Sequence, residues 1–133
     1  MDVVDDAARQ PEDFFAGHSD ALTVFQRVKA IVDGFGPVEV RTSKSQVAFR
    51  RKRGFAYLWM PGRYLKKPGA EVVLSIALGR QHASPRFKQV VHPAPSTWMH
   101  HLEIHDIAEI DDEVAGWLAE AAGRAGCAAT PSG

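Results

Sequence analysis

Between Gln46 and Trp59 apolar and polar side chains alternate with a period of two on either side of a basic turn. Val47 and Phe49 alternate with Ala48 and Arg50, and Phe55, Tyr57 and Trp59 alternate with Ala56 and Leu58. Alternation rich in β-branched and aromatic residues predicts half-buried strands. Gly54 offers the conformational freedom that a tight turn or bulge requires. QVAFRRKRGFAYLW therefore reads as a β-hairpin, with Phe55, Tyr57 and Trp59 together on the expected core face. The rest of the chain reads as elements that extend or cover this hairpin.

Residues 1–10 read as a disordered lead and Pro11 to Phe15 as a short helical turn anchored by Phe14 and Phe15. From Ser19 to Asp33, Leu22, Phe25, Val28, Ile31 and Val32 recur at helical spacing, with Ser19 as the expected N-cap. Gly34, Gly36 and Pro37 end that helix. A strand over Val38 to Arg41 and a polar turn over Thr42 to Ser45 precede the hairpin. Pro61 to Gly69 is a punctuated loop. Glu71 to Leu78 is a strand with Val72, Leu74, Ile76 and Leu78 on one face and the smaller Val73, Ser75 and Ala77 on the other. Strands follow over Phe87 to His92 and Thr97 to His105, separated by a rigid break at Pro93 to Ser96. A final helix begins at Asp111 as N-cap, buries Val114, Trp117, Leu118 and Ala121, and frays over Gly123 to Gly126, before a flexible tail at 127–133. Short links between strands imply antiparallel neighbours. The fold class is α+β: a mostly antiparallel sheet of about six strands packed against an N-terminal and a C-terminal helix, as one domain over residues 11–126. The alternative is a helix-grip arrangement with a cavity between sheet and C-terminal helix.

With 133 residues and 45% hydrophobic side chains, the chain is long enough for one domain with a substantial core. A lone cysteine, Cys127, forms no internal disulfide and fits a reducing compartment. No apolar run approaches the roughly 20 residues of a membrane span, and the acidic start MDVVDDAARQ lacks the apolar centre of a signal peptide. A cytoplasmic protein with no membrane association is expected. The net charge is zero, but it is segregated. Arg27 to Lys88 holds fourteen Lys and Arg against three acids, while the flanking segments carry acidic surpluses of five and six. Such asymmetry marks either an anionic partner or acidic helices that neutralise basic strands.

Four stretches, PEDFFAG, GFGPVEVRTSKSQVAFRRKRGFAYLW, VVLSIAL and WMHHLEIHDIAEIDDEVAGWLAEA, together resemble a bacterial family of domains of unknown function. Its members are sometimes labelled predicted transport proteins. The likeness runs from Pro11 to Gly126. Its most specific pieces are the Ser43-Lys44-Ser45 turn and the His-rich strand before an acidic helix start. Members of that family occur alone, beside another small domain, or joined to nuclease-like domains. The resemblance implies the α+β architecture, supplies no site residues, and points by analogy toward nucleic acid.

Two constellations could carry chemistry. Arg50, Arg51, Lys52 and Arg53 crowd the hairpin turn, and Arg63, Lys66 and Lys67 lie in the loop that follows. Together they are the candidate contacts for nucleic acid or another anion, against the simpler reading of a solvated turn. The aromatic set Phe49, Phe55, Tyr57 and Trp59 would stack bases on an open sheet, or else form the core beneath the helices. Along WMHHLEIHD, His101, Glu103 and His105 share one face and are the candidate metal ligands. Adjacent members lie about 6.6 Å apart along a strand, but His101 and His105 are about 13 Å apart, so His92 or His82 would have to complete a site. His100, on the apolar side, reads as a hydrogen-bonded core histidine. No nucleophile elbow, Walker loop, HExxH, CxxC or GxGxxG occurs. No cofactor is expected, and the leading expectation is a non-enzymatic binding module for an anionic partner. The alternatives are a small-ligand-binding protein and a metal-dependent enzyme using the His-rich strand.

Overall fold

The computed structural model describes residues 10–63 and 70–126, with Arg63 placed by its backbone alone. In chain order the elements are α1 (Pro11–Phe14), α2 (Ser19–Asp33), β1 (Glu39–Thr42), β2 (Val47–Arg50) and β3 (Gly54–Trp59), then β4 (Val72–Leu78), β5 (Gln89–Ala94), β6 (Thr97–Ile104) and α3 (Asp112–Gly126). Short 3-10 turns sit at Pro61–Arg63 and Ile107–Glu109. Residues 1–9 of the lead expected over 1–10 and the tail at 127–133, with Cys127, lie outside the described residues, as do Lys66 and Lys67.

The strands form one six-stranded sheet in the order β1-β2-β3-β4-β6-β5, antiparallel at every step. The α+β architecture read from the sequence is the one observed. Both long helices lie on one face of the sheet. β4 is buried along its whole length. Val72, Leu74, Ile76 and Leu78 join the helix-covered core, whereas Val73, Ser75 and Ala77 point to the other face. Aromatic packing ties α1 and α2 to the hairpin. Phe14 meets Phe15 edge to face at 4.9 Å, and Phe25 stacks on Phe49 at 5.8 Å. Between the sheet and α3 lie packed Phe55, Leu74, Ile76 and Leu118 rather than the enclosed space that a helix-grip cavity needs.

Several boundaries differ from the sequence reading for identifiable reasons. The N-cap of α2 is His18, and Ser19 is the first helical residue. β5 runs through Pro93 to Ala94 instead of breaking there. It is an edge strand, and an edge tolerates a residue with no N–H to donate. α3 stays helical to Gly126 instead of fraying at Gly123. Its last carbonyls are held by the basic hairpin turn, as described below.

The hairpin holds the most consequential difference. β2 and β3 pair Phe49 with Ala56 but Arg50 with Gly54, so Phe55 is an extra residue on β3. This bulge lets Phe55 and Ala56 both enter the core, at 1% and 0% exposure. The alternation restarts one step out of phase. Leu58 is buried in the core, and Tyr57 and Trp59 emerge, half-buried, on the opposite face, which no helix among the described residues covers and which is called the uncovered face below. Tyr57 and Trp59 therefore do not share a face with Phe55, as the sequence alternation predicted.

Candidate binding surface on the uncovered sheet face

The basic turn meets the C-terminus of α3. Arg51 Nη1 donates to Ala122 O at 3.3 Å, the Lys52 backbone N–H to Ala125 O at 3.1 Å, and Arg53 Nη2 to Arg124 O at 3.2 Å. A helix end leaves its last carbonyls without partners and carries partial negative charge. Three consecutive turn residues answer both needs, so the basic run has a local structural use. Arg50 Nε lies 3.9 Å from Glu39, is shut off from solvent, and has no hydrogen-bond partner among the described residues. Arg50, Arg51 and Lys52 also line a concavity of about 490 Å³ with Pro37, Val38, Glu39 and Gly126. The side chains of Arg63, Lys66 and Lys67 lie outside the described residues.

Other cations of the middle segment meet acids. Arg80 makes two bonds of 2.9 Å to Glu120. Arg86 reaches Asp111 and Glu113 and stands over the Trp117 ring. Lys88 lies 3.4 Å from Glu103. These three cations all lie in the β4–β5 connection, and in space they pair with acids at the start and flank of α3 and on β6.

The His-rich strand divides as its alternation predicts. His100, fully buried, accepts a hydrogen bond from the His82 backbone N–H at Nε2 (3.0 Å) and faces Trp98 O through Nδ1 (3.0 Å). The acceptor at Nε2 and the carbonyl at Nδ1 fix the neutral Nδ1–H tautomer. Burial lowers its pKa, and the carbonyl contacts oppose that only in part. On the other face Glu103 contacts His105 Nε2 at 3.5 Å as well as Lys88. His101 turns away from both to Ser75. His92 stacks on Trp98 at the far edge, 3.9 Å between ring centres. Among the described residues no three His, Cys, Asp or Glu side chains converge in a way that could hold a metal.

A different group converges on the uncovered face. One cross-strand row runs Arg41, Ala48, Tyr57, Ser75, His101, Gln89 across all six strands. At its centre Ser75 is small and 3% exposed, so two large neighbours close over it. Trp59 Nε1 donates to Ser75 Oγ at 2.8 Å, and Ser75 Oγ lies 2.7 Å from His101 Nδ1. The Trp59 and His101 rings meet edge to face at 6.1 Å. With Tyr57, Met99, Ser45 and Gln46 they line a concavity of about 430 Å³. Burial holds the His101 pKa below its ordinary value, with the neighbouring His100 adding to the effect, so the ring is neutral.

A serine hydroxyl against an imidazole is also how a nucleophile meets its base. Here Oγ already accepts the indole N–H and is buried, and no third side chain among the described residues orients His101 from its far side. The arrangement is suited to holding a ligand. A larger concavity, about 770 Å³, lies between the start of α2 and the ends of β4 and β6, lined by His18, Glu71, His105 and Ile107 among others. Its described lining also includes Gly62 and Ala70.

Residues 11–122, most of the domain just described, match the family given as Domain of unknown function (DUF5655). The chain belongs to DUF5655. No curated protein and no solved structure matches it. In this DUF5655 chain the matched span contains the whole sheet and α3 as far as Ala122, and with them the Trp59–Ser75–His101 group. Sequence reading did not single out Ser75, and although it weighed Tyr57 and Trp59 as stacking residues it set them on the core face with Phe55, because the bulge at Phe55 is invisible to simple alternation. The signal that was present was the small-residue face of β4, whose lack of bulk lets neighbouring rings converge.

Proposed function

We propose that this DUF5655 protein is a non-enzymatic binding module that holds a planar, unsaturated small ligand on the uncovered face of its sheet. The observation that carries the reading is the concavity in which Tyr57, Trp59, Met99 and His101 surround Ser75. Its volume is in the range of small-molecule sites, roughly 300–1,000 Å³, and it combines aromatic walls with a few fixed polar groups. Ring stacking on such a platform is worth about 1–3 kcal/mol per ring. A bacterial, cytoplasmic setting belongs to the same reading, supported by the lone Cys127 and by the family likeness of the sequence.

The test is a two-dimensional NMR titration with planar heteroaromatic fragments, quinoline among them. Shifts should concentrate on the Trp59 indole, Met99 and His101 and vanish in Trp59→Ala. Shifts spread evenly over the surface, or none at millimolar fragment, overturn the reading.

A second reading, an anionic partner such as nucleic acid, is favoured by one observation: Arg50, Arg51 and Lys52 share a concavity in which Arg50 Nε has no hydrogen-bond partner among the described residues. Retention on heparin that falls steeply with salt supports it, and absence of retention at low salt removes it.

A further inference from the structure

The uncovered-face site does more than offer aromatic walls, because its hydrogen bonds leave His101 in one defined state. Trp59 Nε1 is a donor only, so Ser75 Oγ accepts at that contact. The Ser75 hydroxyl proton then has one partner among the described residues, His101 Nδ1 at 2.7 Å. An imidazole nitrogen that accepts leaves the proton on the other nitrogen. His101 Nε2 therefore carries N–H, and that N–H has no partner among the described residues. His101 stands on the wall of the concavity, beside Trp59 and Met99.

We infer that His101 is the specificity-determining residue of this site, and that the ligand class is a planar ring bearing a hydrogen-bond acceptor, a ring nitrogen or a conjugated carbonyl oxygen, that meets the His101 Nε2–H. The inference rests on the sheet-face reading above and narrows it. Ser75 is a positioning residue: it touches no ligand but sets which way the imidazole is protonated. Trp59 orients the serine in turn, so three residues on β3, β4 and β6 fix one donor. A ring without an acceptor would bury the His101 N–H without a partner, which costs affinity even though the stacking is unchanged.

The experiment compares quinoline with naphthalene, rings of one outline that differ in a single acceptor nitrogen, by NMR titration of the Trp59 indole and of selectively ¹⁵N-labelled histidine. At neutral pH the His101 signals should report protonation on Nε2. Quinoline should bind several-fold to about tenfold more tightly than naphthalene, the scale of one hydrogen bond. His101→Phe should abolish that preference while both fragments still bind. Ser75→Ala should release the tautomer, visible in the ¹⁵N spectrum, and shrink the preference without weakening naphthalene. Equal affinities in the unaltered protein, or a spectrum with the proton on Nδ1, overturn the inference and leave the sheet-face reading standing. If neither fragment moves the Trp59 signal, both fall.

Discussion

His100 shows how one buried residue makes stability depend on pH. It is fully buried on the helix side, with Nε2 accepting from the backbone of the β4–β5 connection and Nδ1 held by its own strand. The folded protein disfavours its charged form through burial, and burial acts on His101 in the same direction. Unfolding returns both rings to the ordinary value of 6.5. Below that pH the unfolded chain binds more protons than the folded one, so stability rises with pH in that window and is lost as pH falls. Urea midpoints should be flat above about pH 7 and fall between about pH 6.5 and 5, at constant m-value. Asp111 and Glu120, whose carboxyl groups are held below their ordinary range by backbone and arginine hydrogen bonds, contribute only in more acidic solution. His100→Phe should remove part of the dependence. It should also cost about 1–3 kcal/mol, because it leaves the His82 N–H without an acceptor.

At the scale of the element, α3 is defined by what meets its two ends. At the start, Asp111 Oδ1 accepts from the Val114 N–H at 3.1 Å, and Arg86 ties Asp111 and Glu113 to the Glu109 carbonyl. At the finish, the hairpin turn supplies Arg51, the Lys52 N–H and Arg53. The turn fits closely: a Cβ built on Gly126 would come within 2.9 Å of the Arg51 guanidinium carbon. Arg51→Ala should therefore lower stability by about 1 kcal/mol in chemical denaturation, and Gly126→Ala should displace the same arginine. Hydrogen exchange should localise the Arg51→Ala effect to amides in the last turn of α3, whereas a loss spread evenly over the sheet would contradict a capping role. Arg86→Ala removes two ion pairs and the cover over Trp117, and should cost about 1–2 kcal/mol.

Over the whole molecule, the sheet has one face filled by helices and one face that no described helix covers, and this second face carries the concavity. Charge is distributed by the same division. Much of the basic surplus of the middle segment is spent on the acids and carbonyls of α3 and its approach, through Arg51, Arg53, Arg80 and Arg86. Raising salt from low to moderate ionic strength should consequently lower the thermal midpoint slightly, because screening weakens the exposed pairs at Glu120 and Asp111. Fragment binding on the uncovered face should stay unchanged in the same salt series, since stacking on neutral Trp59 and His101 has no net charge to screen. A steep salt dependence of fragment binding would argue instead for the cationic concavity at Arg50.

Periodicity alone determined which segments become helices and strands, which faces of β4 and β6 turn inward, and that His100 lies in the core. These follow from burial acting on a local repeat, and a local repeat is legible in one dimension. The sequence likewise carried the antiparallel pairing, because short links favour antiparallel neighbours, but not the strand order, in which residues 79–88 carry the chain from β4 past β6 to β5 at the edge. Three things were decided only by tertiary structure. One extra residue at Phe55 reversed the faces of Tyr57 and Trp59, since a bulge arises from pairing between strands rather than from either strand alone. The meeting of Trp59, Ser75 and His101 joined three strands that are 16 and 26 residues apart in the chain. The basic turn gained its role in the same way, as a cap on a helix that begins some sixty residues later. Hydrogen bonds of that reach depend on register and closure of the whole sheet, which no window of sequence contains.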